Sequence, residues 1–164
     1  TKFTTVRMTQ KLTNQRPKIA LFEPDIPQNT AAIIRTCACL GAKLEIIKPC
    51  GFLISDKRFK RVVMDYMNSD EIEFYESSDH FFKSKENQRI VLMTTKASAS
   101  YTSFKFNKND TILFGRESGG VPNKIHKIVK NRLKIPMKKN MRSLNISTSV
   151  AIILAESLKQ TKFI

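Results

Sequence analysis

Short apolar runs alternate with amphipathic segments along most of this chain. The first run, KIALF at 18–22, is typical of a buried strand. The segment from Asn29 to Gly41 comes next, and its apolar residues at 33, 34, 37 and 38 recur at helical spacing. We expect Asn29 or Thr30 to cap this helix and Gly41 to end it. The pattern therefore predicts a βα unit.

The same alternation continues to the end of the chain. Further strands are predicted at 44–48, 71–75, 89–95, 110–115 and 132–137. Further helices are predicted at 55–66, 77–85, 122–130 and 147–160. Strands that alternate with helices favour an α/β fold, here a single domain with a mostly parallel sheet flanked by helices. Such domains bind ligands at the carboxyl ends of their strands.

The first 17 residues differ from the rest of the chain. They carry basic residues at 2, 7, 11 and 16, no acid and little periodicity, which predicts a flexible basic N-terminal arm over 1–17. The domain is expected to occupy 18–164, because no internal repeat and no linker divides that range.

The net charge of the chain limits the kinds of binding partner that it favours. The chain has 164 residues and 29 Lys plus Arg against 14 Asp plus Glu, a formal net charge of +15. On a folded domain this surplus favours nucleic acid, with an anionic membrane surface as the weaker alternative. No run approaches the roughly 20 apolar residues of a membrane-spanning helix. The N-terminal residues lack the apolar run of a secretion signal, so we expect a cytoplasmic protein, although this basic, acid-free stretch also resembles a transit peptide.

The cysteines do not predict a metal site. Cys37, Cys39 and Cys50 match no zinc spacing, and on a helix the first two would point about 200° apart. We expect buried free thiols and no metal.

Candidate chemistry lies in three segments that each come directly after a predicted strand: 24–35, 112–122 and 135–147. The chain has neither a GxGxxG fingerprint nor a GxxxxGK[ST] phosphate loop. The middle segment concentrates Gly115, Gly119, Gly120 and Pro122, which allows close approach of backbone to a ligand. Taken alone, this segment is equally a tight strand-to-helix turn.

Basic residues near these segments are candidates for phosphate contact. Arg35 comes after small residues near a helix start, an arrangement that suits a phosphate, although an ordinary surface arginine would look the same. Between Ser118 and Ala155 the chain has eight Lys or Arg and no acid, which favours a nucleic-acid surface over a merely solvated face.

Taken in order, the three segments resemble the motifs of the SPOUT (trefoil-knot) RNA methyltransferases. The motifs are PxIPxNTxxxxR from Pro24 to Arg35, FGxExxGxP from Phe114 to Pro122, and IPM followed by RSLNxS from Ile135 to Ser147. The likeness covers about residues 18–160. It is greatest to the branch that 2′-O-methylates the wobble nucleotide of tRNA (the TrmL/YibK type).

The resemblance implies an α/β domain with a C-terminal deep trefoil knot that holds S-adenosylmethionine, and a homodimer. It implies methylation of a tRNA ribose, most often of cytidine or uridine at the wobble position, with S-adenosylhomocysteine as product. The positions that match the family's cofactor contacts are Met93, Thr94, Gly115, Glu117, Gly120, Ile135, Met137, Ser143, Leu144 and Asn145.

The resemblance also assigns catalytic and RNA-binding positions. Arg35 and Asn29 are the implied catalytic residues. We expect Arg35 to hold a phosphate and stabilise the emerging alkoxide, because an arginine is a poor base. The expected RNA contacts are Lys57, Arg58, Arg61, Arg116, Lys138, Lys139 and Arg142.

Three departures from the family pattern bear on substrate detail more than on fold. Ala31 stands where this branch usually has Gly, Arg116 where Pro is common, and Ala155 where some members have a Tyr. Two alternatives stay open: a related knotted 2′-O-methyltransferase acting on rRNA or another tRNA position, and a knotted RNA-binding protein without catalysis.

Overall fold

The computed structural model describes residues 15–66 and 71–164. Within these ranges the strands are β1 (Lys18–Phe22), β2 (Lys43–Ile47), β3 (Ile72–Tyr75), β4 (Ile90–Met93), β5 (Thr111–Phe114) and β6 (Asn131–Leu133). The α-helices are α1 (Pro27–Leu40), α2 (Lys57–Tyr66), α3 (Ser78–Ser84), α4 (Asn123–Ile128) and α5 (Ile146–Gln160). The predicted alternation of strand and helix is confirmed.

The six strands form one sheet in the order β3-β2-β1-β5-β4-β6. Every neighbouring pair is parallel. From β1 the chain adds β2 and β3 on one side, whereas β5, β4 and β6 lie on the other side. The strand order therefore reverses between β1 and β5. In open α/β sheets this switch point opens a crevice beyond the carboxyl ends of the strands.

Both faces of the sheet are buried, as a parallel sheet requires. Alternate residues of β1 point to opposite faces: Ile19 and Leu21 join a core with α1, α2 and α5, whereas Ala20 and Phe22 join a second core with α3 and α4. The short apolar runs in the sequence result from this burial on two sides.

The predicted cap of α1 is wrong. The helix begins at Pro27, so Asn29 and Thr30 lie inside its first turn. Ile26 occupies the N-cap position, and no side chain forms a capping hydrogen bond there. Proline fits a first helical position because its φ is already helical and its missing N–H needs no partner there. The predicted end is confirmed, since Gly41 closes the helix with a φ of 81°.

Most other boundaries differ from the prediction by one or two residues, and two of the differences have a clear local cause. The second helix begins at Lys57, and the Oδ1 atom of Asp56 accepts from the amide of Arg58 at 2.8 Å. The last strand ends at Leu133 rather than 137. Pro136 has no N–H to extend a ladder, so the IPM residues leave the sheet and become available to a cleft.

Residues 1–14 of the predicted basic arm lie outside the described residues. Residues 15–17 lie against the domain: Pro17 is buried, and Arg16 donates to the carbonyl of Gly41 at 3.3 Å. The Arg16 guanidinium also lies 4.6 Å from the ring centre of Phe163.

Candidate active site

A cleft of about 510 Å³ opens at the carboxyl ends of β4 and β5, next to the switch point. Its walls come from the loops after these two strands, the start of α1 and the segment that connects β6 to α5. These are the regions of the three motif segments, which the fold brings together from distant parts of the sequence. The volume lies in the range of small-molecule and cofactor sites.

The loop after β5 is a tight hairpin whose backbone leaves no space for a side chain at Gly115. A Cβ atom on Gly115 would lie 2.6 Å from the backbone of Gly120. Arg116 and Gly120 exchange two backbone hydrogen bonds, of 3.2 and 2.8 Å. Gly120 itself has a φ of 66°, which favours glycine. The glycines therefore serve the shape of the loop, and the loop exposes backbone to the cleft.

The loop after β1 is tied to this hairpin by an ion pair. The Arg116 guanidinium lies 2.9 Å from a carboxylate oxygen of Glu23 and 5.2 Å from the ring centre of Phe22. Glu23 has a φ of 42°, uncommon for a residue other than glycine. Such strain persists where surrounding contacts fix the backbone, and it clusters at functional sites.

A second tie joins two acidic side chains. The backbone N–H of Asp25 donates to Oε2 of Glu117 at 3.2 Å, and Ser118 Oγ donates to Oδ2 of Asp25. Burial, and then a hydrogen bond with Asp25, raise the pKa of Glu117. The same bond from Glu117 lowers the pKa of Asp25. The two carboxyl groups thus titrate as a pair in which Glu117 keeps its proton to a higher pH than Asp25 does.

The opposite wall is held by the start of α5. Asn145 caps this helix, because its Oδ1 atom accepts from the amide of Ser147 at 2.8 Å. Its Nδ2 atom donates to Oδ1 of Asn29 at 3.0 Å. Asn29 is free for this contact because α1 begins at Pro27. One asparagine pair therefore joins the first motif to the third across the cleft.

All ten predicted cofactor positions line this one cleft, and the predicted catalytic residue Asn29 lies there with them. Arg35 does not line it. Arg35 is exposed on α1, with its guanidinium 5.3 Å from the ring centre of Tyr66 at the end of α2.

Several lining residues escaped the sequence analysis. His126 projects from α4, and its Nε2 atom lies 2.9 Å from Oγ1 of Thr94. Ser118 also lines the cleft, and its partner Asp25 supports the wall behind Glu117. Ser118 and Asp25 lie inside the motif segments 112–122 and 24–35. Their position within these motifs is the only sequence feature that indicates a place at the site. Nothing local to His126 distinguishes it from the surrounding basic residues.

Comparison with known proteins agrees with the motifs. The model of the SpoU rRNA Methylase family matches residues 16–155. The tRNA (cytidine(34)-2′-O)-methyltransferase of Beijerinckia indica is 43% identical over 144 residues, which cover 87% of this chain and 90% of that relative. The chain belongs to the SpoU methylase family.

Solved members of this family share the fold. A chain solved in a study of the 2-OH methylation of C/U34 on tRNA superposes with a TM-score of 0.82 at 33% identity, and the match covers 89% of this chain and 96% of that one. The SpoU methyltransferase AviRb of Streptomyces viridochromogenes, solved with AdoMet, superposes with a TM-score of 0.77 at 23% identity over 89% of this chain and 60% of its own. SpoU methyltransferases are knotted SPOUT proteins, so the predicted fold class is confirmed.

Of the basic residues predicted to contact RNA, all except Arg116 lie outside the cleft. Lys57, Arg58 and Arg61 are exposed on α2. Lys138, Lys139 and Arg142 are exposed on the segment between β6 and α5, beside cleft residues 137 and 143. Arg116 lines the cleft, where its charge is paired with Glu23.

Membrane spans and metal sites are both absent from the described residues, 15–66 and 71–164. No helix there is long and apolar enough to cross a membrane. No three metal-ligating side chains gather there in a possible metal site. The three cysteines are free thiols, of which Cys37 is buried as expected, whereas Cys39 is exposed and that expectation is wrong.

Proposed function

We propose that this chain transfers the methyl group of S-adenosylmethionine to the ribose 2′-hydroxyl of the wobble nucleotide, residue 34, of tRNA. The carrying observation is the match over nearly the whole chain to tRNA (cytidine(34)-2′-O)-methyltransferases, 43% and 41% identical in two bacteria. The geometry supports it, because one cleft at the switch point gathers all ten motif positions. A tRNA substrate would place the reaction in the cytoplasm.

The cleft fits the proposed cofactor in shape and chemistry. Apolar side chains of Met93, Ile135 and Leu144 can enclose an adenine. The hairpin at Gly115 brings backbone N–H and C=O groups to the wall, and these are the partners that a buried adenine edge needs. Glu117 has a buried oxygen, Oε1, without a protein donor among the described residues. S-Adenosylmethionine supplies an electrophilic methyl group on sulfonium, and S-adenosylhomocysteine would be the product.

Arg35 and Asn29 have different tasks in this proposal. Asn29 shapes the cleft wall through its bond with Asn145. Arg35 would clamp a phosphate of the substrate and stabilise the alkoxide that forms as the 2′-hydroxyl loses its proton. A guanidinium stays charged at any physiological pH, so phosphate or water would accept that proton.

The position of Arg35 favours a dimer as the working form. Arg35 does not line the cleft of its own chain, and its guanidinium is exposed on α1. In a homodimer that packs around α1 and α5, Arg35 of one copy would reach the cleft of the other. Mixing inactive Arg35→Ala protein with inactive Gly115→Ala protein should then restore activity through mixed dimers. No restoration, together with a monomeric sedimentation profile, would oppose the dimer.

The exposed basic residues would hold the tRNA. Lys138, Lys139 and Arg142 lie beside the cleft, and within the described residues none of them forms an ion pair with an acid. The cations of α2 would extend this surface. Each phosphate contact releases counterions, so binding should weaken steeply with salt.

The deciding experiment incubates unmodified tRNA with protein and S-adenosylmethionine and locates methylated riboses by mass spectrometry of nuclease fragments. We expect methylation at residue 34, about a hundredfold less with Arg35→Ala, and a similar loss with Arg35→Lys because lysine cannot form a bidentate clamp. Methylation elsewhere would replace the wobble assignment by another RNA position. No transfer to any RNA, with cofactor bound, would support a binding protein without catalysis.

A further inference from the structure

A pair of acidic side chains at the wall of the cleft is unexplained. Asp25 belongs to the loop after β1 and Glu117 to the hairpin after β5, 92 residues apart in sequence. Two hydrogen bonds join the two regions, one from the amide of Asp25 to Glu117 and one from the Oγ atom of Ser118 to Asp25. The two carboxyl groups also lie close enough to shift each other's pKa. Neither the motif assignments nor the proposed chemistry gives Asp25 a role.

Two oxygen atoms of this pair need a donor. Asp25 Oδ1 and Glu117 Oε1 are both buried and have no donor among the described protein groups. Two neighbouring ionised carboxylates would repel each other, and each buried acceptor without a donor costs free energy. A single proton between the groups removes both costs, because the protonated carboxyl donates to the ionised one.

We propose that Asp25 is a positioning residue that holds Glu117 and the hairpin after β5 against the cleft through one proton shared by the two carboxyl groups. The proposal deepens the proposed function, since the hairpin carries Gly115, Glu117 and Gly120, which would contact the cofactor. Asp25 itself acts through Glu117 and does not line the cleft.

The surrounding backbone keeps Asp25 from moving away from Glu117. Gly51, in the loop after β2, packs so closely that a Cβ atom there would lie 2.7 Å from Cβ of Asp25. The amide of Gly51 also donates to the carbonyl of Pro24 at 2.9 Å. On the other side, the ion pair of Arg116 with Glu23 fixes the strained start of the loop. The carboxyl pair is therefore held together rather than free to separate.

The shared proton has a defined pH range. Because the pKa of Glu117 is raised, the pair loses its proton at a higher pH than an ordinary glutamate does. The lowered pKa of Asp25 means that the pair gains a second proton only at more acidic pH. Other charged or titratable groups around the cleft are Arg116 and Glu23, which neutralise each other, Lys96 after β4, and His126 on α4.

Carbon-13 NMR of side-chain carboxyl groups tests the pair in the free protein, without any cofactor. We expect Glu117 to titrate above the ordinary glutamate pKa of about 4.3. In Asp25→Asn the new amide donates to an ionised Glu117, so the pKa of Glu117 should fall. Ordinary, independent titration of both groups in the wild type would overturn the proposal, as would an unchanged Glu117 in Asp25→Asn. Asp79→Asn, an exposed acid on α3, is the control and should leave Glu117 unchanged.

Calorimetric binding of S-adenosylmethionine tests the positioning role. Asp25→Ala should bind about tenfold more weakly at neutral pH, whereas Asp25→Asn should bind like the wild type. As pH rises, wild-type affinity should fall and that of Asp25→Asn should stay constant. Equal affinity of Asp25→Ala and wild type would overturn the proposal. If the wild type binds no cofactor, the proposed function fails, and the NMR titration together with amide shifts of 115–120 in Asp25→Ala still decides whether Asp25 positions the hairpin.

Discussion

Two glutamates of this domain that have buried carboxylate oxygens differ in how completely those oxygens are satisfied. Glu45 on β2 is 2% exposed, and both of its oxygens lie 2.7 Å from Nζ of Lys85. The hydroxyl of Tyr75 donates to it at 2.7 Å. Glu117 accepts one backbone N–H, and its other oxygen has no donor among the described protein groups. Donors from the protein satisfy the first group, whereas the second needs a further proton or a ligand.

This difference indicates a structural role for Glu45 and a functional role for Glu117. Around Glu45 the partners are themselves fixed, since Tyr75 packs edge-on against Phe81 with ring centres 5.2 Å apart. Burial and then the hydrogen bond to Glu45 raise the pKa of Tyr75, so the Tyr75 hydroxyl stays protonated at physiological pH and remains a donor to Glu45. A satisfied buried network specifies a packing arrangement. An incomplete one at the switch point is instead typical of a ligand site.

The largest effect is expected from removing the cation of the complete network. Lys85→Ala leaves Glu45 buried without its counter-charge, so the free energy of unfolding should fall by about 3–5 kcal/mol. Chemical denaturation measures this loss. The control is Lys48→Ala, whose partner Glu76 is exposed, and it should cost less than about 1 kcal/mol. Equal losses in both variants would contradict the structural role of the Glu45 network.

A smaller loss of stability, with a larger functional consequence, is expected at the hairpin. Gly115→Ala forces backbone apart at Gly120 and should cost about 1–3 kcal/mol and abolish measurable cofactor binding. Gly119→Ala is the matched control for stability, because a Cβ there meets nothing within 4 Å. Denaturation of the two variants should separate them clearly. A stable Gly115→Ala protein that binds cofactor normally would show that the hairpin is not required.

The smallest effect distinguishes two helix caps. Asn145→Ala and Ser77→Ala each remove a side-chain cap, at α5 beside the cleft and at α3 respectively. Both should cost about 1 kcal/mol in the free energy of unfolding. Only Asn145→Ala should also weaken cofactor binding, because it breaks the contact with Asn29. Calorimetry on both proteins checks this, and equal affinities would remove Asn145 from the site.

Stability should also depend on pH through the incomplete pair. Because the pKa of Glu117 is raised on folding, the native state binds more protons than the unfolded chain between the ordinary and the raised value. The free energy of unfolding should therefore fall as pH rises through that interval. Denaturation at a series of pH values measures the slope, and a slope equal to that of Asp25→Asn would contradict it.

The sequence predicted the elements well because their causes are local. Apolar runs buried on both faces identified strands such as β1, and Gly41 marked a helix end by its left-handed backbone. The start of α1 was missed because Asn29 is a good cap by type, whereas Pro27 occupies the first helical position. Local preference allows a helix start at either place, and the helix begins at the earlier one.

Only the part of the candidate site that lies in the sequence motifs was predictable. Residue types and order placed ten positions that the fold then gathers in one cleft. The pairing of Asp25 with Glu117 joins loops from different strands, so no local pattern indicates it. The separation of Arg35 from that cleft results from the direction of α1, which only the three-dimensional structure gives.

The most direct test of the central claim is amide NMR of the labelled protein titrated with S-adenosylmethionine. We expect saturable shift changes at Met93, at 115–120 and at 135–146, with none at Glu45, Tyr75 or Lys85. No saturable change in the cleft, or changes centred on Lys85 and Glu45, would contradict the assignment of the incomplete region as the functional site.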